Sequence, residues 1–171
     1  MSTVADDPEN LNIPFGYLIT FRCYGTWLHG DSRGSVDSVN NRYGTPRISP
    51  SAPWREYNEN LMLRQPVKLN ADRRKVIEAA IRETCEVRQW RLWVMNVRTN
   101  HIHVVVSAAC KPEVVLVALK ANATRQLRFA GLWRSSRGPW VRRGSRKYLW
   151  TLRDMVNAIA YVEDDQGEPL A

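Results

Sequence analysis

The sequence predicts an α+β fold, one antiparallel sheet packed against helices. Short runs rich in β-branched and aromatic residues alternate with longer segments whose apolar residues recur at three- and four-residue spacing. Two of the β-rich runs are separated only by Arg98, Thr99 and Asn100, a spacing that suits a hairpin.

Residues 16–24 are rich in Tyr, Ile, Thr and Phe and are bounded by Pro14 and Gly25, which reads as a first strand. From 25 to 66 the pattern dissolves into Gly, Pro, Ser and Asn, and a long irregular loop or insertion is expected. Asn70 can cap a helix reaching about Gln89, with Val76, Ile77, Ala80, Ile81 and Cys85 as its apolar stripe. Residues 90–97 and 101–107 are the hairpin strands. Pro112 suits a first helical position and opens a second helix, with Val115, Leu116, Leu119, Ala123 and Leu127 inward. Its Lys120, Thr124 and Arg128 lie on another side, expected to face solvent or a ligand. Residues 148–150 read as a short last strand and 152–164 as a last helix. This is the ferredoxin-like βαββαβ order with an extra C-terminal helix, the helices expected on one face of the antiparallel sheet. At 171 residues the chain can bury one full core and is short for two, so 1–171 is read as a single domain.

Charge narrows the partners. Lys and Arg number 25 against 17 Asp and Glu, a formal charge of +8 with a pI of about 9.8, which favours a polyanion. Most of the basic residues are arginines, suited to bidentate phosphate contacts and to stacking on bases. Residues 131–147 hold Arg134, Arg137, Arg142, Arg143, Arg146 and Lys147 with no acidic residue, interleaved with Trp133 and Trp140. Cys23, Cys85 and Cys110 are odd in number and widely spaced, as in reduced packing residues of a cytosolic protein. The polar first ten residues and the lack of a long apolar run predict a soluble, cytoplasmic protein without a membrane partner.

His101 and His103 flank Ile102 at the start of a strand. Alternation puts both imidazoles on one face and Ile102 on the other, so the pair could grip one cation at a rigid site. The plainer reading is one packed histidine and one solvated one. In the last helix Leu152, Met155, Val156, Ile159 and Val162 fall on one side at about 100° per residue, and Tyr161 falls nearly opposite. A tyrosine outside the apolar stripe has a use for its hydroxyl or is an ordinary surface residue. Asp165 follows Tyr161 on the same helical face and could complete a metal site. Gln166 comes next, where Gly167 and Pro169 should be ending the helix, and could ligate instead.

The run Thr99-Asn100-His101-Ile102-His103-Val104-Val105-Val106 resembles the asparagine-histidine-hydrophobic-histidine strand of the single-tyrosine HUH transposases, which include insertion-sequence transposases and REP-associated tyrosine transposases. Tyr161 with a polar residue about a turn later resembles that family's nucleophile helix. The resemblance covers 16–166, and 25–66 lies outside the family's common core. One departure stands out: four residues after the nucleophile the insertion-sequence members carry glutamine and many REP-associated members asparagine, whereas this chain has Asp165 followed by Gln166.

The resemblance implies a site-specific single-stranded DNA endonuclease and strand-transferase acting on single-stranded or hairpin DNA. His101, His103 and either Asp165 or Gln166 would hold Mg²⁺ or Mn²⁺. Tyr161 would be the nucleophile and form a 5′ phosphotyrosine. A phenol of ordinary pKa, about 10, needs help to ionise at neutral pH. DNA would be held by Arg98 and Asn100, by Lys120, Arg125 and Arg128, and by Arg142, Arg143 and Lys147. Trp133, Trp140, Tyr148 and Trp150 suit stacking on unpaired bases, although Trp150 is expected to be buried as part of a strand. Family members occur both as homodimers with shared active sites and as monomers. Two other functions fit the sequence: a domesticated hairpin DNA- or RNA-binding protein that does not cut, and a metallohydrolase pairing the histidines with Asp31 or Asp37.

Overall fold

Residues 13–32 and 48–164 are described by a computed structural model. Strand β1 (Gly16–Arg22) is followed by helices α1 (Ala52–Asn60) and α2 (Ala71–Val87), then by the hairpin β2 (Arg91–Val97) and β3 (His101–Ser107). Helix α3 (Pro112–Phe129), strand β4 (Ser145–Leu149) and helix α4 (Leu152–Asp164) complete the order. The sheet runs β2-β3-β1-β4 with every neighbouring pair antiparallel. With α2 between β1 and β2 and α3 between β3 and β4, this is the ferredoxin-like arrangement, and α4 is the extra helix.

Local chemistry sets the element ends. The Asn70 side chain accepts from the Arg73 backbone and starts α2, and Pro112 occupies the first turn of α3. Thr151 and Asp154 form a reciprocal capping box on α4. The Asp154 N–H donates to Thr151 Oγ1 at 3.1 Å, while Asp154 Oδ2 accepts from the N–H groups of Trp150 and Thr151, each at 3.1 Å. The hydrogen bond from the Thr151 backbone is the main cause that holds the Asp154 carboxyl below its usual range.

Alternation along the strands divides the sheet between two cores. Ile19, Phe21, Ile102, Val104 and Val106 face α2 and α3, where Ile77, Ile81, Val115, Leu119 and Leu127 cover them. Val105 and Leu149 face the other way and meet Met155, Ala158 and Val162 of α4. The expectation of helices on one face therefore needs correction, because α4 covers the opposite face. Its orientation differs as well: Leu152 and Val156 are 66% and 64% exposed, and the small Ala158 is buried in their place. Counting about 100° per residue, Met155, Ala158 and Val162 span about 60°, and Tyr161 lies about 60° beyond Ala158. This rotation brings Tyr161 to the margin of the buried stripe.

Three further expectations are adjusted. The stretch 25–66 is not wholly irregular, since Ser51 caps α1 within it, and 33–47 lies outside the described residues. The last strand is Ser145–Leu149 instead of 148–150. Trp150 lies beyond its end and is 43% exposed rather than buried, because the chain turns there into the α4 cap.

Replacing Thr151 with Ala removes the hydroxyl half of the capping box and should lower stability by about 1 kcal/mol, read from the urea midpoint. The Asp154 half should be pH-dependent. Its folded pKa lies below the unfolded value of about 3.9, so its contribution is present above that value and is lost as pH falls through the folded one.

Candidate functional site

β3 enters the sheet with His101 opposite Arg22 of β1, and His103 lies between Thr20 of β1 and Asn96 of β2. Both imidazoles lie on the α4 side, since Ile102 and Val104 occupy the other face. The rings sit edge to face with centroids 4.8 Å apart.

Each ring is fixed through Nδ1. His101 Nδ1 donates to the Asn100 side-chain oxygen at 2.6 Å, and His103 Nδ1 meets Thr20 Oγ1 at 2.8 Å. Anchoring Nδ1 on an oxygen orients the ring and directs Nε2 toward any cation the pair would hold. Asn100 is itself held, its carbonyl accepting from the Cys23 N–H at 2.8 Å and from Thr26 Oγ1 at 3.3 Å.

Helix α4 adds the third group. Tyr161 lies edge to face against His103 with ring centroids 5.5 Å apart; the tyrosine is 41% exposed and the histidine only 6%. The Asn96 amide donates to the Val162 carbonyl at 3.1 Å and pins this end of α4 to β2. The structure thus brings together His101, His103, Tyr161 and Asn100, which were singled out in the sequence. Thr20 and Asn96 were missed, because their roles come from cross-strand register, which no local motif announces.

Two imidazole nitrogens are a ligand set for divalent transition ions, and Mg²⁺ or Mn²⁺ would need oxygen donors beside them. Among the described residues, no cluster of three or more His, Cys, Asp and Glu could hold a metal ion, so Asp31 does not complete the histidine pair. Asp165 and Gln166, the two alternatives for a third ligand, lie outside the described residues, as does Asp37. Burial pushes the Cys23 thiol up to about 12 and the Cys85 thiol up to about 11, so neither offers a thiolate near neutral pH.

The predicted DNA-binding residues divide by location. Arg98 is in the β2–β3 turn with Asn100, next to the histidines, and its N–H donates to the His101 carbonyl at 2.9 Å. Lys147 lies on β4 opposite Leu18, on the α4 side of the sheet, and Arg142 and Arg143 precede that strand. Lys120, Arg125 and Arg128 belong to α3, on the opposite side of the sheet from the histidines.

Part of α3 expected to face solvent or a ligand instead faces the chain's own 131–144 segment. Lys120 Nζ donates to the carbonyls of Val141, Arg142 and Arg143 at 2.9, 3.5 and 3.0 Å. Arg128 donates to those of Ser135 and Ser136 at 3.1 and 2.7 Å. Burial, helped by the nearby Arg146, lowers the Lys120 pKa to about 8. Arg125 holds the Asn122 side chain at 2.7 Å and remains well exposed. Trp140 donates to Thr124 Oγ1 at 3.0 Å and packs edge-on against Phe21, while Trp133 donates to the Arg137 carbonyl at 2.8 Å.

No protein-family model matches the chain, and no curated protein matches it. Among solved structures it is similar to a REP-associated tyrosine transposase bound to a REP hairpin, at 12% identity and a TM-score of 0.47, over 95% of this chain and 70% of that one. No helix among the described residues is long and apolar enough to cross a membrane.

Replacing Lys120 with Met keeps the stem and removes the donor to three carbonyls. It should lower stability by about 1 kcal/mol in urea unfolding and speed amide exchange around 141–143, with exchange in β3 unchanged.

Proposed function

We propose that this chain cuts and rejoins single-stranded or hairpin DNA, with Tyr161 as nucleophile and the His101–His103 pair as the seat of a divalent cation, Mg²⁺ or Mn²⁺. The observation that carries this reading is the packing of Tyr161 against His103, 5.5 Å between ring centroids, by elements that meet only through the fold.

In this reading the Tyr161 hydroxyl oxygen attacks phosphorus in line with the 3′ oxygen. The new Oη–P bond replaces the P–O3′ bond, the phenol loses its proton and the departing 3′ oxygen gains one, leaving a 5′ phosphotyrosine. A 3′ hydroxyl from a new junction can reverse the step without ATP, because the tyrosyl bond keeps the energy of the phosphodiester. The bound cation would supply Lewis-acid polarisation of the scissile phosphate. His101 and His103 would hold it through Nε2, Asn100 and Thr20 would keep the rings aimed, and Asp165 or Gln166 would complete the set. The Asn96 tether to Val162 would hold Tyr161 at its distance as DNA enters.

DNA would be positioned by Arg98 and Asn100 beside the site and by Arg142, Arg143 and Lys147 toward β4. Arg125 offers a further phosphate contact, and Lys120 and Arg128 would act chiefly by holding the segment that presents Arg142 and Arg143. Binding of this kind weakens steeply with salt.

The test is a covalent adduct. Labelled hairpin DNA with Mn²⁺ should give a protein–DNA band on a denaturing gel, and Tyr161→Phe and His101→Ala should each abolish it. Cleavage retained in Tyr161→Phe would assign the histidines to a metallohydrolase. The absence of any adduct across a panel of hairpins, with salt-sensitive binding intact, would make the chain a non-cutting hairpin binder.

A second measurement tests the ring anchors. Thr20→Val should weaken Mn²⁺ binding, followed by titration calorimetry, by about ten- to a hundredfold. Unchanged affinity would remove Thr20 from the site.

A further inference from the structure

Four aromatic side chains, Trp133, Trp140, Tyr148 and Trp150, lie within or just after the basic stretch 131–147, and the fold uses them differently. Trp133 and Trp140 spend their indole N–H groups on backbone and side-chain oxygens, and Arg73 covers the Trp133 ring. Tyr148 and Trp150 instead lie nearly parallel to each other, 5.5 Å between centroids with planes 10° apart, and are 41% and 43% exposed.

Their setting is rigid. Tyr148 lies opposite Tyr17 in the β1–β4 ladder and rests edge-on against its ring at 5.3 Å, and the Tyr17 hydroxyl donates to the Cys110 carbonyl at 2.8 Å. The Trp150 backbone N–H donates to the Asp154 carboxylate in the α4 cap. β4 is an edge strand, so the pair stands at the rim of the sheet. Arg146 and Tyr148 share one face of β4, and Trp150, just past the end of the strand, lies against Tyr148, so a guanidinium is followed by two aromatic rings. Arg146 contacts Glu113 at 3.1 Å but remains partly exposed, and exposed Lys147 projects from the other face.

The geometry points to Tyr148 and Trp150 as a stacking platform for the unpaired bases of single-stranded nucleic acid, with Arg146 and Lys147 beside it for the backbone. Flat aromatic faces accept any base, and neighbouring cations neutralise phosphates, whereas a duplex keeps its bases stacked on each other and gains little from such a surface. The platform lies on the α3 side of the sheet, away from His101 and His103, so it is a second contact surface and not part of the tyrosine–histidine site. The inference rests on the strand-binding part of the function proposed above and is independent of cleavage.

Binding is measured in the full chain carrying Tyr161→Phe, so that the fate of the cleavage reading does not affect the result. A fluorescein-labelled mixed-sequence single strand is titrated by anisotropy beside the duplex of the same sequence. Trp150→Ala should weaken single-strand binding about tenfold and Tyr148→Ala/Trp150→Ala further, while Trp150→Phe recovers most of the affinity. Duplex binding should change less than twofold, and circular dichroism should show each variant folded. Equal affinity in wild type and Trp150→Ala, equal loss on duplex, or no single-strand binding by the parent chain would each overturn the platform. If the platform effect holds and the adduct assay fails, the cleavage reading alone is lost.

Discussion

The contact between α4 and the face of β3 carries more than its share of the structure. Val105 is the residue through which β3 reaches the second core, and it lies two positions from His103 on the same face. On the other face Ile102, Val104 and Val106 are fully buried against α2 and α3. Each fully buried Val or Ile contributes roughly 1.5–3 kcal/mol, and a one-residue slip would exchange the faces of all of them. Hydrophobic burial on both sides therefore fixes the register, and the register places two imidazoles on the α4 side. The site is rigid because the strand that bears it has no other way to lie.

A second constraint concerns backbone polar groups. The segment 131–144 has little regular structure, yet its carbonyls must find donors. Lys120 and Arg128 supply them from α3, and the guanidinium of Arg73 reaches the Leu132 carbonyl from α2 at 3.2 Å. Arg64 reaches the Gly138 carbonyl at 2.8 Å while stacked over Tyr24. Several cations that net charge would assign to a polyanion thus hold the chain to itself. The number of basic residues therefore overstates the surface that an anionic partner could use.

Much of the fold was legible in the sequence because pattern and burial coincide. The inward residues of α2 and α3 are those at helical spacing, and the His101–Ser107 strand has the expected bounds. What escaped was decided by packing. Hydrophobicity alone turns α4 toward Leu152 and Val156, but Ala158, nearly neutral by composition, is the residue buried against the sheet. The trio His101, His103 and Tyr161 could be named from local motifs, whereas Thr20 and Asn96 could not, since each takes its role from its place opposite His103. Trp150 misled because a β-prone triplet at a strand end looks the same whether the chain continues or turns into a helix cap.

The edge at β4 shows how one set of residues can answer two demands. An unpaired strand edge invites another strand, and charged side chains along it discourage that pairing. Arg146 and Lys147 meet this need by position alone, on opposite faces of β4. The same side chains would serve the phosphates of the strand proposed above, although Arg146 also pairs with Glu113. Tyr148 and Trp150 then offer aromatic surface where an apolar aliphatic patch would risk self-association. A single strand held there would have to pass around the β4 rim to reach the histidine face. Lys147, on the histidine side of the sheet and adjacent in sequence to Tyr148, stands where such a crossing would bring the backbone.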